Sequence, residues 1–110
     1  MNRAEIINFA ESIVNDLFRV PEGIEREGFT TFLIEQFVDG LDLFDDPKQR
    51  KYMTGDLSLP TYYKSDPPIV GVLPACVEDQ LIFNLGHMNS EGKFVKQLAI
   101  NLHTQSVMVL

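Results

Sequence analysis

Leu81-Ile82-Phe83-Asn84-Leu85-Gly86-His87-Met88-Asn89-Ser90-Glu91-Gly92-Lys93-Phe94-Val95-Lys96-Gln97-Leu98-Ala99-Ile100-Asn101-Leu102 is the stretch that decides the fold. Leu81, Phe83 and Leu85 alternate with Ile82, Asn84 and Gly86, the period-two signature of a strand. Asn89-Ser90-Glu91-Gly92 suits a type I turn closed by a glycine bulge. From about Lys93 a return strand puts Leu98, Ile100 and Leu102 on one side, with Gln97, Ala99, Asn101 and His103 on the other. Before this hairpin, Ile69–Leu73 is a short apolar run that Pro74 either ends or confines to a sheet edge.

The first half of the chain reads as helix. Asn2 and Glu5 have capping-box spacing, and Ile6, Phe9, Ala10, Ile13, Val14, Leu17 and Phe18 share one half of a helical wheel. Pro21 limits this helix to about residues 3–19. Pro21-Glu22-Gly23 is a turn, and Gly28 argues against regular helix over 24–28. From Phe29 the ladder Phe29, Leu33, Phe37, Leu41 marks a second helix, with Gly40 as a C-terminal cap or a weak point. Asp46-Pro47 then starts a short basic helix through about Met53, and Gly55 ends it. The expected class is α+β, a small antiparallel meander covered by two or three N-terminal helices. A chain of 110 residues, 45% hydrophobic and 23% charged, suits one domain. Its helical part spans about 1–54, a Pro-rich connector about 55–68 and the sheet part about 69–110.

Ile6, Ile13, Leu17, Phe29, Leu33 and Phe37 are expected to share a core with Phe83, Leu98, Ile100 and Leu102. Val107-Met108-Val109-Leu110 has no polar alternation, so residues 106–110 are expected to be ordered and mostly buried. The domain's own helices are the first expected cover, and a symmetric subunit interface is the alternative.

The net charge is −7, and its distribution is uneven. Residues 1–46 carry eleven acids against three arginines, a net of −8; residues 47–66 come to +2 and the remainder to −1. Direct nucleic-acid binding needs positive charge for phosphate contacts, so it is not expected. No apolar run reaches 18 residues, so no membrane span is expected, and the charged N-terminus does not read as a signal peptide. With one cysteine, Cys76, no internal disulfide is available, and a reducing, cytoplasmic compartment is expected.

Few residues suggest chemistry. Cys76, His87 and His103 could supply a nucleophile and base, but no Gly-rich elbow or helix start accompanies the cysteine. The two histidines are sixteen residues apart, unlike common zinc spacings. The acidic run Asp39–Asp46 places leucine and phenylalanine where a calcium loop needs oxygen ligands. No phosphate loop, dinucleotide fingerprint or serine elbow occurs. The residues therefore call for no catalytic set, metal or cofactor.

The functional expectation is a non-enzymatic acidic protein-binding module, an inhibitor or adaptor facing a basic surface. Its sharpest form is a nucleic-acid mimic of the phage or mobile-element type, which blocks a nucleic-acid-binding protein of a host complex. Glu22, Glu25, Glu27, Asp39, Asp42, Asp45 and Asp46 would carry the charge. Tyr62 and Tyr63, in the connector, would be interface anchors, unless their rings plug the core. Two rivals stand beside it: a homo-oligomeric assembly protein joined through residues 106–110, and a small enzyme using Cys76 or a histidine.

Overall fold

Asn2 opens the first helix, α1 (Arg3–Ser12), with the expected capping box. Its side chain accepts the Glu5 N–H at 2.9 Å, and Glu5 accepts the Asn2 N–H at 3.2 Å. Each satisfies a donor that the first turn of a helix leaves unpaired. The computed structural model describes residues 1–53, 60–65 and 67–110, except for the Tyr52 side chain.

The turn after Ser12 departs from the expectation. Ile13–Leu17 form a π-helical turn, and the Phe18 N–H reaches back five residues to the Ile13 carbonyl at 2.8 Å. One added residue rotates the rest of the turn by about 100°. Ile6, Ala10, Ile13 and Val14 stay buried and Phe18 joins them, but Leu17 is 48% exposed. The expected place of Leu17 in the core is therefore corrected: ideal helical phase does not hold to the end of this helix.

The second helix, α2 (Arg26–Asp45), starts earlier than the sequence suggests and contains both Gly28 and Gly40. Phe29, Leu33, Phe37, Gly40 and Phe44 form its buried stripe. Gly40 is not a C-terminal cap but lies inside a longer helix, the alternative expectation. A Cβ there would stand 2.5 Å from two carbons of the Phe83 ring. Phe83 also meets Phe37 edge-on, with centroids 4.9 Å apart. Glycine is needed here because a strand side chain rests on the helix backbone.

Asp46 caps α3 (Pro47–Arg50) by accepting the Lys48 N–H at 2.9 Å, and Pro47 fills the first turn as its spacing suggests. A 3-10 turn, Lys51–Met53, comes next. The expected stop at Gly55 lies outside the described residues. Arg50 folds back so that its Nε donates to the Phe44 carbonyl at 2.7 Å, with its guanidinium 4.1 Å from the centre of the Phe44 ring. It supplies a cation at a helix end whose last turn contains none.

The sheet is an antiparallel meander of five strands in chain order: β1 (Thr61–Tyr62), β2 (Val70–Val77), β3 (Gln80–Met88), β4 (Phe94–Asn101) and β5 (Ser106–Val109). Among the described residues, three α-helices followed by this sheet make the architecture α+β. β2 continues through Pro74, which pairs with Phe83, so the proline does not end the strand. β1 pairs with Val72 and Gly71, and by the same alternation Pro74 turns its missing N–H away from β3, so it breaks no bond of the β2–β3 ladder. The β2–β3 turn has positive φ at both Glu78 (52°) and Asp79 (62°), the backbone of a primed two-residue hairpin without its usual Asn-Gly. The β3–β4 turn matches its sequence. Asn89 Oδ1 accepts the Glu91 and Lys93 N–H groups at 2.9 and 3.0 Å, and Gly92 has φ 76°.

The helices cover one sheet face, sealing Val70, Val72, Leu81, Phe83, Leu85, Leu98, Ile100 and Leu102. Among the described residues no helix is long and apolar enough to cross a membrane. The expected burial of residues 106–110 is corrected. Met108 is 65% exposed, Val109 73% and Leu110 59%; Val107, opposite Ile100, is half-buried. β5 does form, but among the described residues it pairs only with β4. The helix α2 lies over β2 and β3, too far across the sheet to cover its last strand.

Truncation should separate the residues that keep their expected place from the one that does not. Phe37→Ala should cost about 3–5 kcal/mol in urea unfolding, and Leu17→Ala no more than about 0.5 kcal/mol. Gly40→Ala should destabilise by about 1–3 kcal/mol through overpacking against Phe83, although alanine is the better helix former by about 1 kcal/mol.

Candidate protein-binding surface

At about 100° per residue, the buried stripe of α2 lies on one side of the helix and Glu27, Glu35, Asp39, Asp42 and Asp45 lie on the other. All five are exposed. Along the axis, Glu35, Asp39, Asp42 and Asp45 succeed one another at intervals of about 4.5–6 Å. The result is a line of negative charge on a rod held from behind by the core.

The helix macrodipole makes this placement unfavourable. The C-terminal end of a helix carries partial negative charge, so nearby anions cost about 0.3–1 kcal/mol each at low salt. Asp42 and Asp45 occupy that end, where stability alone would favour lysine or arginine. Arg50 at the Phe44 carbonyl offsets only part of the conflict.

The remaining expected site residues have different roles. Asp46, half-buried, is engaged as the α3 cap. Glu22 and Glu25 are exposed in the turn before α2 and line an open cleft of about 510 Å³ with Tyr63 and Lys64. Glu27 lines another, of about 410 Å³, between α1 and α2 with Glu11 and Arg26.

Tyr62 and Tyr63, being consecutive in extended chain, face opposite sides. Tyr63 packs edge-on against Phe29 and Phe32 with centroids 5.9 and 5.4 Å apart, and its hydroxyl lies over Gly28. Tyr62 lies on the outer sheet face over Gly71, edge-on to Phe94 at 6.2 Å. Both rings are half-buried. They line a cleft of about 440 Å³ that also holds Phe32, Glu35 and Lys64. The fold therefore brings both tyrosines to the N-terminal half of the acidic helix, near Glu35, while Asp39, Asp42 and Asp45 continue away from them.

Cys76 and His87 are not brought together. Cys76 pairs with Leu81 and His87 with Val70, six residues along the ladder, a separation of about 20 Å. His103 is exposed, with its ring 6.0 Å from that of Phe44. Among the described residues no group of three or more His, Cys, Asp or Glu is placed to hold a metal ion.

One further cleft has no signature in the sequence. About 450 Å³ in volume, it lies between the π-helical turn and the β4–β5 edge, and Leu17, Arg19, His87, Gln97 and Val109 are among its lining residues. It exists because Leu17 leaves the core, which ideal helical periodicity does not reveal. Compared with protein-family models, curated proteins and solved structures, the chain matches none.

Relieving the conflict at the helix end should strengthen the fold. Asp42→Asn and Asp45→Asn are each expected to raise unfolding free energy by about 0.3–1 kcal/mol at low ionic strength, with the gain fading in high salt. Urea melts at two salt concentrations check both the sign and the screening.

Proposed function

We propose that the protein is a non-enzymatic binding module that presents the outer face of α2 to a basic protein surface. The observation that carries this reading is the line of exposed carboxylates opposite the buried stripe of α2, two of them at the helix end where they oppose the dipole. Surface charge that costs stability is a feature expected of a binding site. Regular negative charge on a rigid rod imitates a nucleic-acid backbone, so the sharper form is an inhibitor that occupies a nucleic-acid-binding groove. Glu22, Glu25, Tyr62 and Tyr63 extend the surface at its N-terminal end, where half-buried tyrosine rings add apolar contact beside the charge. Charged residues at the rim of the target would set orientation and association rate more than final affinity.

The deciding experiment compares the wild-type protein with an Asp39→Asn, Asp42→Asn, Asp45→Asn variant as bait, with recovered partners identified by mass spectrometry. The wild type should recover a basic, nucleic-acid-binding partner in about 0.1 M salt and lose most of it near 1 M, where the screening length falls from about 10 to 3 Å. The variant should fold at least as stably and recover about tenfold less, and added nucleic acid should compete with the wild type. A partner held equally by both proteins at both salt concentrations would refute the reading.

A further inference from the structure

We propose that β5 is a self-association edge, pairing antiparallel with β5 of a second copy across a twofold axis through Met108. The Leu110 N–H donates inward to the Gln97 carbonyl at 2.9 Å, and residues alternate in direction along a strand. Val107 and Val109 therefore direct their N–H and C=O groups outward, away from β4. A twofold axis at Met108 sets Val107 opposite the partner's Val109, and each such pair exchanges both bonds. The same symmetry keeps sides matched: the valines of both copies remain on the helix side, and the Met108 side chains meet on the outer face.

Three further observations favour a second copy as the occupant. First, β5, although short, contains no proline or charged side chain, whereas the opposite edge of the sheet is interrupted by Pro74 and partly covered by β1. Second, two copies that each carry a charge of −7 need an uncharged place to meet. The side chains of β5, Ser106–Val109, provide one, and α2 with its carboxylates lies over the far strands. The acid nearest in the bonding pattern, Glu5, reaches Gln105 at 3.5 Å, just before the strand. Third, both sides of β5 are apolar, and the exposed Leu17 lines the same cleft as Val109. A paired strand would bring the partner's Val107 beside that cleft and cover both layers at once. One short strand per copy is a small interface, so the dimer should be weak, with a dissociation constant on the order of 10–100 μM.

Sedimentation equilibrium of the intact chain from about 1 μM to 1 mM provides the test. The wild-type mass should rise with concentration from 12.5 kDa toward twice that value. Salt should promote this association by screening like charges, the reverse of its effect on the acidic face. Val107→Pro removes an outward-facing donor at the cost of some of the half-buried valine's packing, and Val109→Lys places a charge at the edge. Each should raise the dissociation constant by about tenfold or more without changing the far-ultraviolet dichroism. If either variant unfolds, amide exchange of wild-type Val107 and Val109 decides, since protection at both must grow with concentration. A wild type that remains at 12.5 kDa throughout, a folded variant that associates as the wild type does, or concentration-independent exchange would overturn the proposal.

Discussion

The contact of Phe83 with α2 determines how the two layers fit. Its ring lies against the backbone at Gly40 and edge-on to Phe37 at 4.9 Å, so helix and strand approach more closely than any residue with a Cβ at position 40 would allow. Close packing of this kind sets both the distance and the angle between layers, because a well-filled interior leaves little room for sliding. The helix α2 is thereby seated over β2 and β3, with Phe29, Leu33 and Phe44 continuing the contact along its length. Which side of α2 meets solvent is fixed by that seat, and so is the position of every carboxylate on it.

Charge in this protein is placed against local stability as well as apart from the core. Glu5 works with Asn2 at the start of α1, and Asp46 works as the cap of α3; both carboxylates sit where a helix N-terminus favours them. Asp42 and Asp45 sit where the dipole disfavours them. Arg50, bonded to the Phe44 carbonyl and stacked on the Phe44 ring, is a local remedy reached by folding the chain back through α3. Two uses of acidic residues thus occur within a few positions of each other. The caps organise the backbone, and the α2 row faces outward on a helix already held by its apolar side.

The second surface arises from a mismatch of widths. A five-stranded sheet is wider than the helix layer packed on it, so its last strand extends beyond cover. The π-helical turn increases the mismatch by rotating Leu17 away from the core at the same margin. One surface is charged, while the other is apolar with outward-facing backbone groups. They occupy different parts of the molecule, so a second copy at β5 would leave the α2 carboxylates open.

Much of this architecture is legible in the residues because it is local. Asn2 with Glu5, Asp46 with Pro47, the turn at Asn89–Gly92 and the alternation of Leu81, Phe83 and Leu85 each depend on neighbours within a few positions. The acidic side of α2 is readable for the same reason, since helical periodicity alone opposes Asp39, Asp42 and Asp45 to Phe29, Leu33 and Phe37. Gly40 cannot be interpreted this way: its reason is a ring on a strand more than forty residues later. Pro74 resembles a strand end because its tolerance depends on its missing N–H facing away from β3, which the strand pairing decides. Leu17 and residues 106–110 suggest burial by their apolarity, which states a preference for cover without stating whether any element can supply it. Helical and strand periods, caps and turns are short-range energetics and belong to the sequence by itself. The phase slip at Ile13–Leu17, the seat of α2 on Phe83 and the open edge at β5 were decided only by packing, where one element's geometry limits how far another can reach.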